Sequence, residues 1–432
     1  MTPAARLQAA LDLMEEIEQT PRPADAVVSG WFRARRDLTE ADRGVIYDLV
    51  YSMLRSQARL TWWLAKYERP ATRRNRLLAW LALGRNQTRE QIERQFSGGR
   101  LVTAVLSEPE RQLIGRLQGG SLDHPGMPDE VRGECPEWAL EALRRRFGEA
   151  FEREMAGMVT PPPLDLRVNP LRATREAMLS ALTGLGLKAG ACRMAPHGIR
   201  IGERASLSRL PMLRTGEVEI QDEGSQLVAM LVGAKAGDRV VDFCAGAGGK
   251  TLAIAADMAN KGVVIACDVL ENRLKRGAER FRRAGLHNIQ TRLLSGERDK
   301  WVKRHRASFD RVLVDAPCSG TGTWRRNPDA RWRAEHAGFE ALLPLQANIL
   351  DSAARLVKPG GRLVYATCSL LTEENEAQVE AFLASHPEFR AVPLSEVAPQ
   401  ITDSAHPDYL SLTPAQHDTD GFFAAVMERA AA

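Results

Sequence analysis

Val240–Thr251 reads VVDFCAGAGGKT: a short apolar run ending on Asp242, a turn carrying Gly246, Gly248 and Gly249, then Lys250 and Thr251 opening a new stretch. Short valine-rich runs suit strands buried on both faces, and residues without Cβ let backbone approach a ligand closely. In a doubly wound sheet, ligands sit beyond the carboxyl ends of the strands, where this turn lies.

The same pattern repeats outward from it. GDRVVDFC, KGVVIACDV, FDRVLVDAP and GGRLVYATC are apolar runs that each end on a small or polar residue, with helical stretches such as ENRLKRGAERFRRAG between them. GFFAAVMERA predicts one more strand near the C-terminus. Strands alternating with helices predict an α/β domain with a mostly parallel sheet covered on both faces. Asp268 ends the second run, 22 residues after Gly246. A carboxylate there can accept the ribose hydroxyls of a nucleoside cofactor, or cap the helix that begins at Glu271. A phosphate-binding P-loop is excluded, because Cys244 stands where its first glycine belongs. The turn is AGAGGK rather than GxGxxG, and nothing downstream suggests hydride chemistry.

Upstream, the patterning changes. Residues 1–140 read as a helical bundle: LQAALDLMEEIEQ and DLTEADRGVIYDLVYSMLRSQARLTWWLAKY are apolar at helical spacing, with Thr39 as a cap and Trp62 and Trp63 as core residues. PPP at 161–163 breaks any helix. LDLRVNPLRATREAMLSALTGLGL then reads as strand, turn and helix, so residues 141–215 form a small α+β module ahead of a catalytic domain at 216–432.

With 432 residues, 44% hydrophobic and 26% charged, the chain is long enough for two or three domains with cores of their own. No apolar run reaches membrane-span length, and the acidic, amphipathic start is unlike a signal peptide, so a cytoplasmic protein is expected. Six cysteines without a CxxC pair argue against zinc and against a disulfide framework, and no metal is expected. The net charge of +4 is uneven: residues 270–336 hold 17 Lys and Arg against 8 Asp and Glu. RLKRGAERFRR, KRHR and WRRNPDARW fit a phosphate-binding face, or a set of solvated helix faces. Arg167, Arg325 and Arg326 are candidate RNA contacts; aromatic content of 6% argues against extensive base stacking.

Two further stretches carry the chemistry. Val314–Gly322 reads VDAPCSGTG and Val364–Glu376 reads VYATCSLLTEENE. Each sets a cysteine, Cys318 or Cys368, just past a predicted strand and just before a serine. Both thiols should therefore face the cofactor crevice, with Thr372 capping a helix whose dipole lies nearby. A thiolate adding to C6 of a pyrimidine makes C5 nucleophilic enough to accept a methyl group. A second, unbonded thiol suits the later elimination. Asp315 is placed to hold the base's N3/N4 edge, or the cofactor's amino group.

With DFCAGAGGKT, CDVLENR, DAPCSGTG, RRNPD and YATCSLLTEENE together, the chain resembles the Fmu/Sun family of RNA 5-cytosine methyltransferases, and within it the members that act on 16S ribosomal RNA. LRVNP, EIQDEGSQLVA and DGFF extend the resemblance, and EADRGVIYDLVYSMLR is similar to a helical domain shared with transcription antitermination factors. The resemblance implies a Rossmann-like class I methyltransferase domain using S-adenosylmethionine and RNA-binding upstream domains; the oligomeric state is open, with a monomer favoured. It implies that Cys368 is the nucleophile and that Cys318 promotes product release. It also implies that Cys244, Ala245, Gly246, Ala247, Gly248, Gly249 and Lys250 hold the methionine and ribose, that Asp268 takes the ribose hydroxyls, and that Asp315 lies between cofactor and base. Two positions depart from the family pattern. Gly246-Ala247 stands where alanine-proline is common, and Ser295-Gly296 where an adenine-facing aspartate is expected, leaving Ser295, Glu297 or backbone to replace it. The competing expectations are a transfer RNA 5-cytosine methyltransferase and a non-catalytic ribosome-assembly factor that binds RNA.

Overall fold

A computed structural model describes residues 1–99, 102–202, 210–334, 336–401 and 404–431. The chain divides into two compact units, Met1–Thr160 with Trp324–Ala334, and Pro161–Thr323 with Glu335–Ala432. Among the described residues no helix is long and apolar enough to cross a membrane.

The first unit is helical. Thr39 Oγ1 accepts from the Asp42 amide at 3.2 Å and caps the helix Glu40–Arg55. The single long helix suggested by periodicity breaks at Ser56, and Gln57–Lys66 forms the next one. Trp63 is buried and Trp62 packs against the same core, while Lys66 lies over both rings at about 5 Å. Helices Glu137–Phe147 and Phe151–Val159 also pack within this unit, which runs to Thr160. The triple proline begins the second unit.

Trp324–Ala334 enters the first unit's interior through charged residues. Arg331 is fully buried, donating to the carbonyls of Glu134 (2.9 Å) and Met158 (3.0 Å), with its guanidinium 5.2 Å from the Trp324 ring. Burial pulls the guanidinium down to about 10. Arg331→Ala should lower this unit's unfolding free energy by about 3 kcal/mol, because two buried carbonyls lose their donor and a cavity opens. The check is an earlier first transition in urea. Arg325 is also buried, at 1% exposure, and Arg55 Nε donates to its carbonyl at 3.0 Å. That burial rules out the expected phosphate contact by Arg325. Arg326 is half-buried and already engaged within the protein.

The second unit holds two sheets. In the smaller, β1 (Leu164–Val168), β2 (Ala189–Ala191), β3 (Gly198–Ile201) and β4 (Val218–Ile220) lie in the antiparallel order β2-β3-β1-β4, so this module runs past 215. Arg167 in β1 is 5% exposed and gives its Nε to Gln221 Oε1 at 2.6 Å. It supports the module from inside instead of tracking phosphates.

The larger sheet contains β5 (Arg239–Asp242), β6 (Val263–Asp268), β7 (Ile289–Leu293), β8 (Phe309–Asp315), β9 (Val357–Thr367), β10 (Phe389–Val392), β11 (Leu410–Leu412) and β12 (Phe422–Arg429). Its order is β10-β12-β9-β8-β5-β6-β7, with β11 paired to β12. β7, β6, β5, β8 and β9 are parallel to one another, and β12 runs antiparallel between β9 and β10. Alternate residues feed two cores. Val312, Val314, Leu363, Tyr365, Phe423 and Ala425 face one, and Leu313, Val364, Ala366, Phe422 and Ala424 the other. Both faces are covered, which is why these strands are apolar without interruption.

Candidate active site

The sheet places its acidic and thiol groups by ending its strands. Asp242, Asp268 and Asp315 are the last residues of β5, β6 and β8, and Cys368 directly follows β9. All four strands are parallel neighbours, so these residues share one edge.

At β5 the chain turns into the helix Gly249–Asp257. Gly248 has φ +79°, and an added Cβ would lie 2.3 Å from Phe281. Asp268 braces the turn: Oδ2 accepts from the Gly246 amide at 2.9 Å and Oδ1 from the Leu270 amide at 2.7 Å. The next helix is preceded by Leu270 at its cap position, so Asp268 stabilises its approach rather than capping it directly. Each Asp268 oxygen keeps a second lone pair. A Cβ built on Gly246 would meet nothing within 4 Å, so the turn is open on that side. Burial pushes the Cys244 thiol well up. Burial likewise raises Asp242 to about 7, although Thr251 Oγ1 donates to its Oδ2 at 2.7 Å; its Oδ1 is buried without a partner.

Lys250 reaches across the strand ends. Its Nζ donates to Asp315 Oδ2 at 2.6 Å and lies 5.3 Å from the Phe422 ring centroid. Burial alone would lower Lys250, but the Asp315 carboxylate more than offsets it and holds the ammonium above its ordinary range. Cys368 also favours the charged lysine, so the two are within Coulombic reach.

The two sulfurs meet here. Cys318 Sγ and Cys368 Sγ are 3.4 Å apart, and both cysteines are free. The hydrogen bond with Cys368, together with burial, pushes Cys318 well above the usual thiol range. The loop after Cys318 packs closely on backbone: an added Cβ on Gly322 would lie 2.3 Å from the Gly421 carbonyl oxygen. There the Gly322 amide donates to the Cys368 carbonyl at 2.9 Å, and the Gly421 amide donates to the Gly322 carbonyl at 2.8 Å.

Beneath the thiols lies a polar cluster that sequence reading missed. Glu374 is fully buried and accepts from the Ser319 amide (2.8 Å), Ser319 Oγ (2.5 Å), Gln346 Nε2 (2.9 Å) and Ser369 Oγ. The available signal was the serine after each cysteine. The expected cap at Thr372 is not a helix start: Thr372–Glu374 is a single 3₁₀ turn, and the helix Glu376–Ser385 comes after Asn375. Asn375 instead holds the second cysteine loop, accepting from Thr367 Oγ1 at 2.5 Å and donating to the Ser369 carbonyl at 2.9 Å. Where the adenine-facing carboxylate was expected, Ser295 gives both its amide (2.8 Å) and its hydroxyl (2.9 Å) to Asp299.

Residues 229–428 match the family described as 16S rRNA methyltransferase RsmB/F, and residues 135–208 match that family's ferredoxin-like domain. The probable ribosomal RNA small subunit methyltransferase B of Synechocystis sp. is 38% identical over 68% of this chain and 67% of its own. The ribosomal RNA small subunit methyltransferase B of Sodalis glossinidius is 33% identical over 90% of each. This chain belongs to the RsmB/F methyltransferase family. The crystal structure of PH0851 aligns over 99% of both chains with a TM-score of 0.82 and 25% identity.

As an RsmB/F family member the protein is an S-adenosylmethionine-dependent RNA methyltransferase. The open turn at Gly246, braced by a buried carboxylate with lone pairs to spare, fits the nucleoside half of that cofactor. The basic helix Glu271–Ala284 is partly committed to structure: Arg280 donates to the Ala247 carbonyl at 2.7 Å and pairs with Glu219. Arg273, Lys275 and Arg276 on the same helix are exposed.

Proposed function

We propose that this protein forms 5-methylcytosine in 16S ribosomal RNA in the cytoplasm, through a covalent adduct between Cys368 and C6 of the target base. The observation that carries this reading is the pair of free sulfurs 3.4 Å apart at the ends of adjacent strands, with a charged Lys250–Asp315 pair beside them.

S-adenosylmethionine, when bound, supplies an electrophilic methyl group; Asp268 and the turn Cys244–Lys250 would hold its ribose and methionine parts. The Cys368 thiolate bonds to C6, and the displaced π electrons make C5 nucleophilic. Asp315, held by Lys250, orients the N3/N4 edge and stabilises charge there. Once C5 is methylated, its proton passes to a water molecule, the C5–H electrons reform the C5=C6 bond, and the C6–S electrons leave on the Cys368 sulfur. Cys318, the protonated member of the pair, hands its proton to the departing sulfur. An assembly scaffold would need neither thiol, and the small-subunit names of the relatives favour ribosomal over transfer RNA.

Bisulfite mapping of total RNA from cells with and without this gene tests the reading. One cytosine of 16S RNA should lose its protection in the deletion strain. Loss confined to a transfer RNA would move the substrate, and no loss anywhere would favour the scaffold.

A further inference from the structure

We infer that Glu374 is a positioning residue that sets Cys318 for release of the methylated base; this rests on the two-thiol reading above. The Glu374 carboxylate accepts four hydrogen bonds, which fills the lone pairs of an ionised carboxylate. It spans the two cysteine loops, touching the serine after each thiol.

The two loops depend on it unequally. Around Cys318, the Ser319 amide ends on Glu374, the Ser319 hydroxyl reaches Glu374 and, at 3.2 Å, Ser369 Oγ, and Gln346 links the Glu374 carboxylate to the Pro317 carbonyl at 3.0 Å. Around Cys368, Ser369 keeps other partners: its amide donates to Thr367 Oγ1 (3.1 Å), its carbonyl accepts from Asn375, and its hydroxyl accepts from the Leu371 amide (3.0 Å). Removing the carboxylate should therefore loosen Cys318 while Cys368 stays in place. A reactive group displaced by an ångström can lose about a hundredfold in rate. Attack should then continue while elimination slows, so the protein–RNA adduct builds up.

The experiment compares wild type, Glu374→Gln, Ser319→Ala and Cys318→Ala with the target RNA and S-adenosylmethionine. The readouts are S-adenosylmethionine affinity, melting temperature, turnover and the adduct fraction on a denaturing gel. Glutamine keeps the size but can accept through one oxygen only. Glu374→Gln should bind S-adenosylmethionine within about twofold of wild type, turn over about tenfold to a hundredfold more slowly, and accumulate adduct as Cys318→Ala does. Ser319→Ala, which removes one donor on the Cys318 side, should do the same to a smaller extent, and it covers the case in which Glu374→Gln fails to fold. A merely structural role would lower melting temperature and turnover without trapping RNA. If Cys318→Ala traps RNA and neither Glu374→Gln nor Ser319→Ala does, the positioning role is wrong. If Cys318→Ala traps none, the thiol assignment fails first and takes this inference with it.

Discussion

Cys368→Ala should lose methyl transfer by about four orders of magnitude or more while still binding S-adenosylmethionine, since removal of an attacking nucleophile typically costs that much. The groups proposed to hold the cofactor lie on the turn after β5 and at the end of β6, and the bond that braces them does not use the Cys368 sulfur. The loop should also keep its shape, because the bond from the Gly322 amide ends on the Cys368 carbonyl, which alanine retains. Labelled methyl incorporation and calorimetric titration with S-adenosylmethionine separate the two effects. Adduct formation by Cys368→Ala would show that the two thiols have exchanged roles.

Cys318→Ala should leave attack intact and stall release. Turnover should fall by about a hundredfold or more, the usual contribution of a proton-transfer group, and a covalent protein–RNA species should dominate at steady state. The physical basis is the 3.4 Å hydrogen bond between the sulfurs: without it the departing Cys368 must leave as an unprotonated anion with no adjacent thiol to protonate it. A slower-migrating band on a denaturing gel, dependent on Cys368, is the measurement. Rapid turnover without such a band would mean that water or another group protonates the leaving sulfur.

The strands β5, β6, β8, β9 and β12 could be read from the sequence because both their faces are buried, which leaves unbroken valine- and leucine-rich runs. The cysteines could be placed at the shared edge for the same reason: parallel strands deliver the residues after their carboxyl ends to one side of the sheet. Glu374 and Gln346 could not, since apart from Ser369 the partners of their side chains lie 28 to 55 residues away and a polar residue in a charged loop ordinarily reads as solvated. Arg167 and Arg325 misled in the opposite way. Their guanidinium groups look like phosphate ligands, yet the fold turns Arg167 onto Gln221 inside the protein and buries Arg325. The strands Phe389–Val392 and Leu410–Leu412 are too short to announce themselves.

The eleven residues from Trp324 to Ala334 bear on how this gene can be divided. A fragment stopping at Thr160 would lack the peptide that supplies Arg331 to Glu134 and Met158 and Asp329 to the Ala24 amide. One starting at Pro161 would carry the indole of Trp324 and Arg325, Arg331 and Arg333 with their native surroundings deleted. The helical portion is thus no detachable cassette: splicing, domain exchange between relatives, or expression in halves must move both pieces together.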